Sequence, residues 1–294
     1  MSDLDDSDLD ERCRAASRRW QLLLGDPLTG GTQSAVFAAT DAQGRDLVLK
    51  LPATQAGNDR TAAEAEAAAL GGWSGSGAAV TLIDSTADAL LLVRARPGRL
   101  LSWRPEDRTV DAVVIAGELL RRLWSSPPGA YRYPTLAEIY PEDERVARQD
   151  AAFERRQRGE PLRGEPGLVR LPSAASAAEQ LIGTATTSTL LHGDFISKNL
   201  VTDAAAPAGW VALDPLPVIG EAAAEVAAFA AYHPVETILP TAEALAREIG
   251  IEPRRVLIWT AIWCVHQAAQ AWRDDQAELE ELFTSAAIDK LLAT

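Results

Sequence analysis

The chain has 294 residues, of which 47% are hydrophobic and 24% charged, so we expect a globular protein with room for two lobes rather than a disordered chain. Its 42 acidic residues against 28 basic ones give a formal net charge of −14, which disfavours nucleic acid as a partner and favours a cationic one, although acidity that serves only solubility is an equal alternative. A longest apolar run of residues 256–265, an acidic N-terminus and two cysteines that need not pair predict a cytoplasmic protein with no membrane partner.

The first predicted element is a helix that follows an acidic tail. Residues 3–10 are mostly acidic, and Leu9, Cys13, Ala16 and Trp20 are then spaced three or four apart, which is typical of one face of an amphipathic helix. We therefore assign residues 1–20 to the tail and this helix.

A predicted β-hairpin comes next, with strands at residues 35–40 and 46–51 around a polar turn. The loop before it runs from Leu28 to Ser34 and contains Gly30 and Gly31. Glycine lets backbone N–H groups approach phosphate oxygens closely, so this loop is a candidate to cover a nucleotide. A plain turn is the alternative.

Lys50 lies in the second strand of this hairpin, and it is unusual because only Lys50, Lys198 and Lys290 are lysines among the basic residues. In protein kinases a strand lysine contacts the α- and β-phosphates and pairs with a glutamate on the following helix. The candidate helix spans residues 58–70 and offers Glu64 and Glu66. The alternative is an exposed lysine on an edge strand.

Two further strands are predicted at residues 80–84 and 89–93, after a Gly/Ser break at 71–77. The composition then changes abruptly to Pro and Gly at residues 94–98, which suits a hinge whose backbone, near Val93 and Ala95, could hydrogen-bond a purine edge. We therefore place the first lobe at residues 1–95 and the second at 96–294.

The second lobe is predicted to be mostly helical. Its predicted helices have an apolar face, a strong helix-forming composition or, near the C-terminus, an acidic face. They are assigned to residues 110–124, 141–158, 174–187, 254–272 and 274–292, with a further helix that carries Glu221 and Glu225. Residues 158–166 repeat Arg-Gly-Glu-Pro and are read as a mobile loop. Helix 254–272 is apolar almost all round, which predicts a central position.

The segment from Leu190 to Leu200 carries the chemistry. Its tight His192-Gly193-Asp194 turn is followed five residues later by Asn199, and a second apolar run ends in Asp214 fifteen residues further on. Phosphoryl transfer needs a carboxylate that orients the attacking hydroxyl, together with oxygen ligands that hold Mg²⁺. Protein kinases place these groups in this order, and the turn at 202–209 predicts a hairpin between the two metal ligands.

This order of features resembles the aminoglycoside phosphotransferase family, and most closely its streptomycin kinase and hydroxyurea phosphotransferase branch. The resemblance runs from about residue 18 to 233. It implies a two-lobed protein-kinase-like α+β fold. The small lobe would be an antiparallel sheet with one main helix, and the larger lobe would be mostly helical.

The resemblance also implies residue roles in a reaction that uses ATP and Mg²⁺. Asp194 would accept the proton of the acceptor hydroxyl, and Asn199 and Asp214 would bind Mg²⁺. Glu66, which fits the family's Glu-x-Glu-Ala pattern, would hold Lys50 against the phosphates, with Glu64 as the fallback. The nucleotide would also meet Gly30, Gly31, Ser34, Val93 and Ala95.

Three positions depart from the family's pattern. Ile196-Ser197-Lys198 replaces the usual His-Pro-Gly before the asparagine, so Lys198 either helps to neutralise the γ-phosphate or is simply solvated. Leu216 stands where relatives commonly have a lysine. Glu225 takes the place of a buried aspartate that braces the catalytic loop.

The acceptor is expected to be a small cationic molecule, either an aminoglycoside such as streptomycin or a tuberactinomycin-type cyclic peptide, whose phosphorylation would confer resistance. Carboxylates would bind it by charge-assisted hydrogen bonds and aromatic rings would form walls, unless these residues are solvated charges and core aromatics. The candidates are Asp143, Glu144, Glu236, Asp274 and Asp275, with Trp263, His266 and Trp272. The alternatives are a kinase of a sugar, amino sugar or hydroxyurea-like metabolite, and a catalytically silent kinase-like binding module.

Overall fold

The computed structural model describes residues 6–28, 34–52, 60–101, 111–141, 145, 165–269 and 286–293. Two compact units form within the chain. The first comprises Met1–Leu101, Arg122–Arg132 and Lys198–Pro217, and the second comprises Ser102–Arg121, Tyr133–Ser197 and Val218–Thr294. The division into lobes at residue 95 stays a prediction.

The described residues form ten strands and eight α-helices, which include the predicted strands at residues 35–40, 46–51, 80–84 and 89–93. The strands are β1 (Leu23–Pro27), β2 (Ser34–Thr40), β3 (Asp46–Pro52), β4 (Leu82–Ser85), β5 (Leu90–Val93), β6 (Pro97–Leu100), β7 (Thr189–Leu191), β8 (Leu200–Asp203), β9 (Trp210–Ala212) and β10 (Val218–Gly220). The helices are α1 (Asp6–Trp20), α2 (Arg60–Gly72), α3 (Ala112–Trp124), α4 (Glu165–Thr184), α5 (Ala222–Ala231), α6 (Ile238–Ile249), α7 (Pro253–Ala269) and α8 (Ala286–Leu292).

A five-stranded antiparallel sheet, in the order β1-β2-β3-β5-β4, forms the centre of the first unit. Side chains alternate between the faces of a strand, so β3 buries Leu47, Leu49 and Leu51 on one face and directs Lys50 to the other. The leucines pack with residues of α1. Arg12 of α1 anchors that helix, because its guanidinium donates to the carbonyl oxygens of Pro52 and Asp88 at 2.7 and 2.8 Å.

A second sheet of the first unit has the order β6-β8-β9, and β8 and β9 form the hairpin predicted around residues 202–209. Residues 97–98, interpreted as part of a hinge, belong to the edge strand β6, which pairs with β8, and the hinge itself stays a prediction. A proline is compatible with this position, since the first residue of an edge strand need not donate a ladder hydrogen bond.

Helices dominate the described part of the second unit, where β7 and β10 form a two-stranded antiparallel sheet. The predicted central helix is observed as α7, which packs against α4, α5, α6 and α8. Helix α4 begins at residue 165, earlier than the predicted 174, and accommodates Pro172 within it. Most of the predicted helix 141–158 and loop 158–166, together with residues 270–285, lie outside the described residues. No helix in the described part of the chain is long and apolar enough to cross a membrane.

Candidate active site

The first unit brings a lysine and two acidic side chains together from three distant parts of the sequence. The ammonium Nζ of Lys50 donates to both carboxylate oxygens of Glu66 at 2.7 Å and to Oδ1 of Asp214 at 3.1 Å. Lys50 and Glu66 are 6% and 5% exposed, respectively, so their ion pair is buried. Glu64, the other candidate on α2, is exposed. The sequence pattern and the geometry therefore agree on Glu66 as the partner of Lys50.

Burial and the neighbouring charges shift the pKa values of Lys50 and Glu66. Burial alone would lower the pKa of Lys50, but the negative charges of Glu66 and Asp214 outweigh burial and raise that pKa above its ordinary value of 10.5. Burial raises the pKa of the Glu66 carboxyl group, against the opposing effect of Lys50. The ammonium therefore stays charged at neutral pH and can present positive charge to an anionic ligand.

The hairpin of β8 and β9 explains why Asn199 and Asp214 lie at the same end of it. Asn199 immediately precedes β8, Asp214 follows β9 by two residues, and the N–H of Leu213 donates to the carbonyl oxygen of Asn199 at 2.8 Å. Asp214 has a φ of 55°, a left-handed conformation that aspartate adopts more readily than most residues. Asn199 is buried, whereas the side chain of Asp214 is 43% exposed.

This pair fits Mg²⁺ in its chemistry. Magnesium prefers oxygen ligands and is usually held by one or two carboxylates together with substrate phosphates. Asp214 provides a carboxylate and Asn199 an amide oxygen. Among the described residues there is no group of three or more His, Cys, Asp or Glu side chains that could hold a metal ion.

The turn that carries Asp194 belongs to the second unit. Gly193 has a φ of 79°, which a residue with a side chain rarely adopts, and its N–H donates to Oε1 of Glu225 at 2.8 Å. Glu225 is 3% exposed and lies in α5. Glu225 thus makes the bracing contact expected of it, one residue before Asp194. His192 is fully buried and packs edge-on against Phe195.

The remaining predicted nucleotide and catalytic residues have mixed placements. Ser34 begins β2, while Gly30 and Gly31 lie outside the described residues. Val93 ends β5 and its N–H already donates to the carbonyl oxygen of Thr81 at 2.9 Å, so that group is not open to a purine. Ala95 follows in the connection to β6, and Lys198 is exposed in the short 3₁₀ turn Ser197–Asn199.

Of the proposed acceptor walls, His266 is a core residue instead, whereas Trp263 is half-buried and its role stays a prediction. His266 is 5% exposed, and its Nε2 lies 2.8 Å from the hydroxyl of Tyr140. Trp263 donates its indole N–H to the carbonyl oxygen of Ala224 at 3.1 Å. Glu236 is exposed, whereas Asp143, Glu144, Trp272, Asp274 and Asp275 lie outside the described residues.

Sequence reasoning missed a buried cluster in the second unit. Glu221 accepts hydrogen bonds from Arg255 and Trp259. The only available signal was the spacing of four between Arg255 and Trp259, which places both on one face of α7. Nothing in the sequence relates that face to Glu221, because the contact depends on how α5 packs against α7.

The sequence profile of the aminoglycoside/hydroxyurea antibiotic resistance kinases matches residues 19–276. A search of curated proteins found no significant match.

Several solved structures share the fold. A choline/ethanolamine kinase family protein from Mesorhizobium loti has a TM-score of 0.66 at 16% identity, over 97% of this chain and 98% of that one. A macrolide 2′-phosphotransferase from Brachybacterium faecium has a TM-score of 0.52 at 18% identity, over 95% and 98%. An amicoumacin kinase solved with AMP-PNP, Ca²⁺ and its ligand has a TM-score of 0.60 at 10% identity, over 96% and 94%. The predicted two-lobed, protein-kinase-like α+β fold is confirmed.

Proposed function

The chain belongs to the family of aminoglycoside/hydroxyurea antibiotic resistance kinases, and from this premise we propose that it transfers the γ-phosphoryl group of ATP, with Mg²⁺, to a hydroxyl of a small cationic antibiotic. Membership confirms the predicted resemblance and makes the chain a phosphotransferase that acts on a small-molecule hydroxyl. The proposal places this activity in the cytoplasm, where ATP is available.

The observation that carries the proposal is the position of Lys50 between Glu66 and Asp214. A buried lysine held by a glutamate on the neighbouring helix is how kinases prepare a cation for the nucleotide phosphates. Since Glu66 binds Lys50 through both oxygens at 2.7 Å, the ammonium is fixed before any ligand arrives. Such preorganised charge costs no rearrangement at the moment of reaction.

Each of the other residues has a defined task in this proposal. The carboxylate of Asp194 accepts the proton of the acceptor hydroxyl. In the same step, the hydroxyl oxygen of the acceptor bonds to the γ-phosphorus, and the bond from that phosphorus to the leaving ADP breaks. Asn199 and Asp214 are the ligands for Mg²⁺, which when bound neutralises charge on the phosphate oxygens. Lys198, exposed on the turn before Asn199, adds positive charge near the transferred group. The AMP-PNP and Ca²⁺ bound by the amicoumacin kinase support the use of a nucleotide and a divalent cation.

A cationic acceptor is supported by the net charge of −14 and by the aminoglycosides in the family's description. The same description includes hydroxyurea, so a kinase of a small neutral metabolite is the second candidate. The intact set Lys50, Glu66, Asp194, Asn199 and Asp214 argues against a silent binding module, because such a module usually loses one of these side chains.

The test is a phosphoryl-transfer screen. The purified chain is incubated with Mg²⁺, ATP and one acceptor in each reaction. The acceptors are streptomycin, other aminoglycosides, a tuberactinomycin, an amino sugar and hydroxyurea. Mass spectrometry then detects the addition of one phosphoryl group. We expect a product with a cationic antibiotic that disappears with EDTA. Products only with the amino sugar or hydroxyurea favour the second candidate, and no product with any acceptor contradicts both.

A further inference from the structure

Helix α7 presents three hydrogen-bond donors to α5 at intervals of four residues. Arg255 donates to both carboxylate oxygens of Glu221, with Nη2 3.0 Å from Oε1. The indole N–H of Trp259 donates to the same Oε1 at 2.5 Å, and that of Trp263 to the carbonyl oxygen of Ala224 at 3.1 Å. Residues four apart share one helix face, so this row of donors holds the first turn of α5.

Arg255 also reaches a third helix. It donates to the carbonyl oxygen of Leu181 and, through Nη1, to the hydroxyl of Thr184 at 3.1 Å, both in α4. The side chains of Arg255 and Glu221 are 22% and 8% exposed. A planar guanidinium with five donors can make all these contacts at once, whereas a lysine ammonium cannot. Arg255 therefore joins α4, α5 and α7.

The end of this network is the turn that carries Asp194. Glu225 lies in α5, four residues after the N-cap residue Glu221. It is 3% exposed and accepts the N–H of Gly193 at 2.8 Å. Gly193 precedes Asp194 directly, so any movement of α5 is passed to Asp194 through one hydrogen bond and one peptide unit. All of these residues belong to the second unit.

We propose that Arg255 is a positioning residue for phosphoryl transfer. By fixing Glu221 it fixes α5, and Glu225 on that helix then holds Gly193 and Asp194 in place. This inference rests on the proposed function of Asp194. An acceptor hydroxyl must lie within hydrogen-bond reach of the Asp194 carboxylate, and a misplacement of about 1 Å can cost on the order of a hundredfold in rate.

The test compares Arg255→Lys and Arg255→Met with the wild-type full chain, at a temperature at which all variants are folded. NMR hydrogen exchange of the Gly193 amide measures the bracing contact without any substrate. We expect this amide to exchange about tenfold faster in both variants. With an acceptor, kcat should fall on the order of ten- to a hundredfold, while KM for ATP stays unchanged.

Arg170→Met is the matched control. Arg170 joins α4 and α8 through a bidentate pair with Asp289, at 2.7 and 3.2 Å. Its loss removes an ion pair from the same unit, so we expect no change in Gly193 exchange or in kcat. If Arg255→Met does not fold, Arg255→Lys and Trp259→Phe carry the test, because the first keeps the charge and the second removes the indole N–H while keeping an aromatic ring at the site.

The outcomes separate this inference from the proposed function. The positioning role is overturned if the Gly193 amide exchanges at the wild-type rate in the Arg255 variants. It is also overturned if Arg170→Met accelerates this exchange equally. Both results hold whether or not phosphoryl transfer occurs. Glu225→Leu removes the acceptor of the Gly193 N–H, so adding Arg255→Met to Glu225→Leu should accelerate exchange no further, and an additive effect contradicts the route through Glu225. A wild-type chain that transfers no phosphoryl group refutes the proposed function, while the exchange measurement still decides the positioning of Gly193.

Discussion

The Lys50 cluster of the first unit contains a buried ion pair and the α5–α7 interface of the second a partly buried one, but only the first is readable from the sequence. Lys50, Glu66 and Asp214 each stand at a motif position whose chemistry restricts the residue type. Arg255 and Glu221 stand at positions where many residue types would fit a helix. Residues whose type is restricted by the reaction can therefore be recognised in the sequence. Residues whose role depends on how two helices pack can be recognised only in the structure.

The largest effect should follow from Asp194→Ala. Without the carboxylate, nothing accepts the proton of the acceptor hydroxyl, so kcat should fall by about 10²- to 10⁴-fold. The measurement is steady-state transfer to the best acceptor of the screen, with Glu179→Ala, an exposed residue of α4, as the control. Near wild-type turnover by Asp194→Ala would show that Asp194 is not the proton acceptor, and the motif would then not have identified a catalytic residue.

The next effect concerns stability. Lys50→Met leaves the Glu66 carboxylate, which is 5% exposed, without its cation. Removing one partner of a buried pair typically costs about 3–5 kcal/mol, which urea unfolding would measure. Lys198→Met, at an exposed lysine of the same unit, should change the free energy of unfolding by less than about 0.5 kcal/mol. Equal values for the two variants would mean that the cluster contributes no more than a surface charge.

The stability lost in Lys50→Met should depend on pH, because Lys50 compensates the charge of the buried Glu66 carboxylate. Burial raises the pKa of Glu66 above its ordinary value of 4.5 and Lys50 opposes it, so the folded state holds the proton more tightly than the unfolded state. Stability gained this way is present below pH 4.5 and is lost as the pH rises through the raised pKa. In Lys50→Met this fall should be steeper than in the wild type, and adding Glu66→Gln should abolish the extra fall. Parallel pH profiles for the wild type and Lys50→Met would contradict the assignment.

The smallest effect is expected from Trp263→Phe. This change removes the hydrogen bond to Ala224 but keeps an aromatic ring, so it should cost about 1 kcal/mol of stability and leave KM for the acceptor unchanged. The readouts are urea unfolding and acceptor titration. A severalfold rise in KM for the acceptor without loss of stability would show that Trp263 lines the acceptor site.

These contrasts explain how far the sequence could predict the molecule. Alternation along β3 predicts the strand that carries Lys50, and the turn at 202–209 predicts the hairpin whose ends adjoin Asn199 and Asp214. Apolar residues all round predict the central α7. Strand β6 was not predicted, because Pro and Gly are typical of turns and its pairing with β8 links segments about a hundred residues apart. His266 was misjudged because a ring on a helix has the same sequence signal whether it faces a ligand or the core.

The most direct test of the central claim is phosphoryl transfer by the double variant Lys50→Met/Glu66→Leu. Replacing a buried ion pair by apolar side chains of similar volume is often neutral or stabilising, so this variant should unfold in urea close to the wild type. We predict that it is folded yet transfers no label from γ-labelled ATP to an acceptor that the wild type phosphorylates. A folded double variant with wild-type transfer would contradict the role of the Lys50 cluster in the reaction.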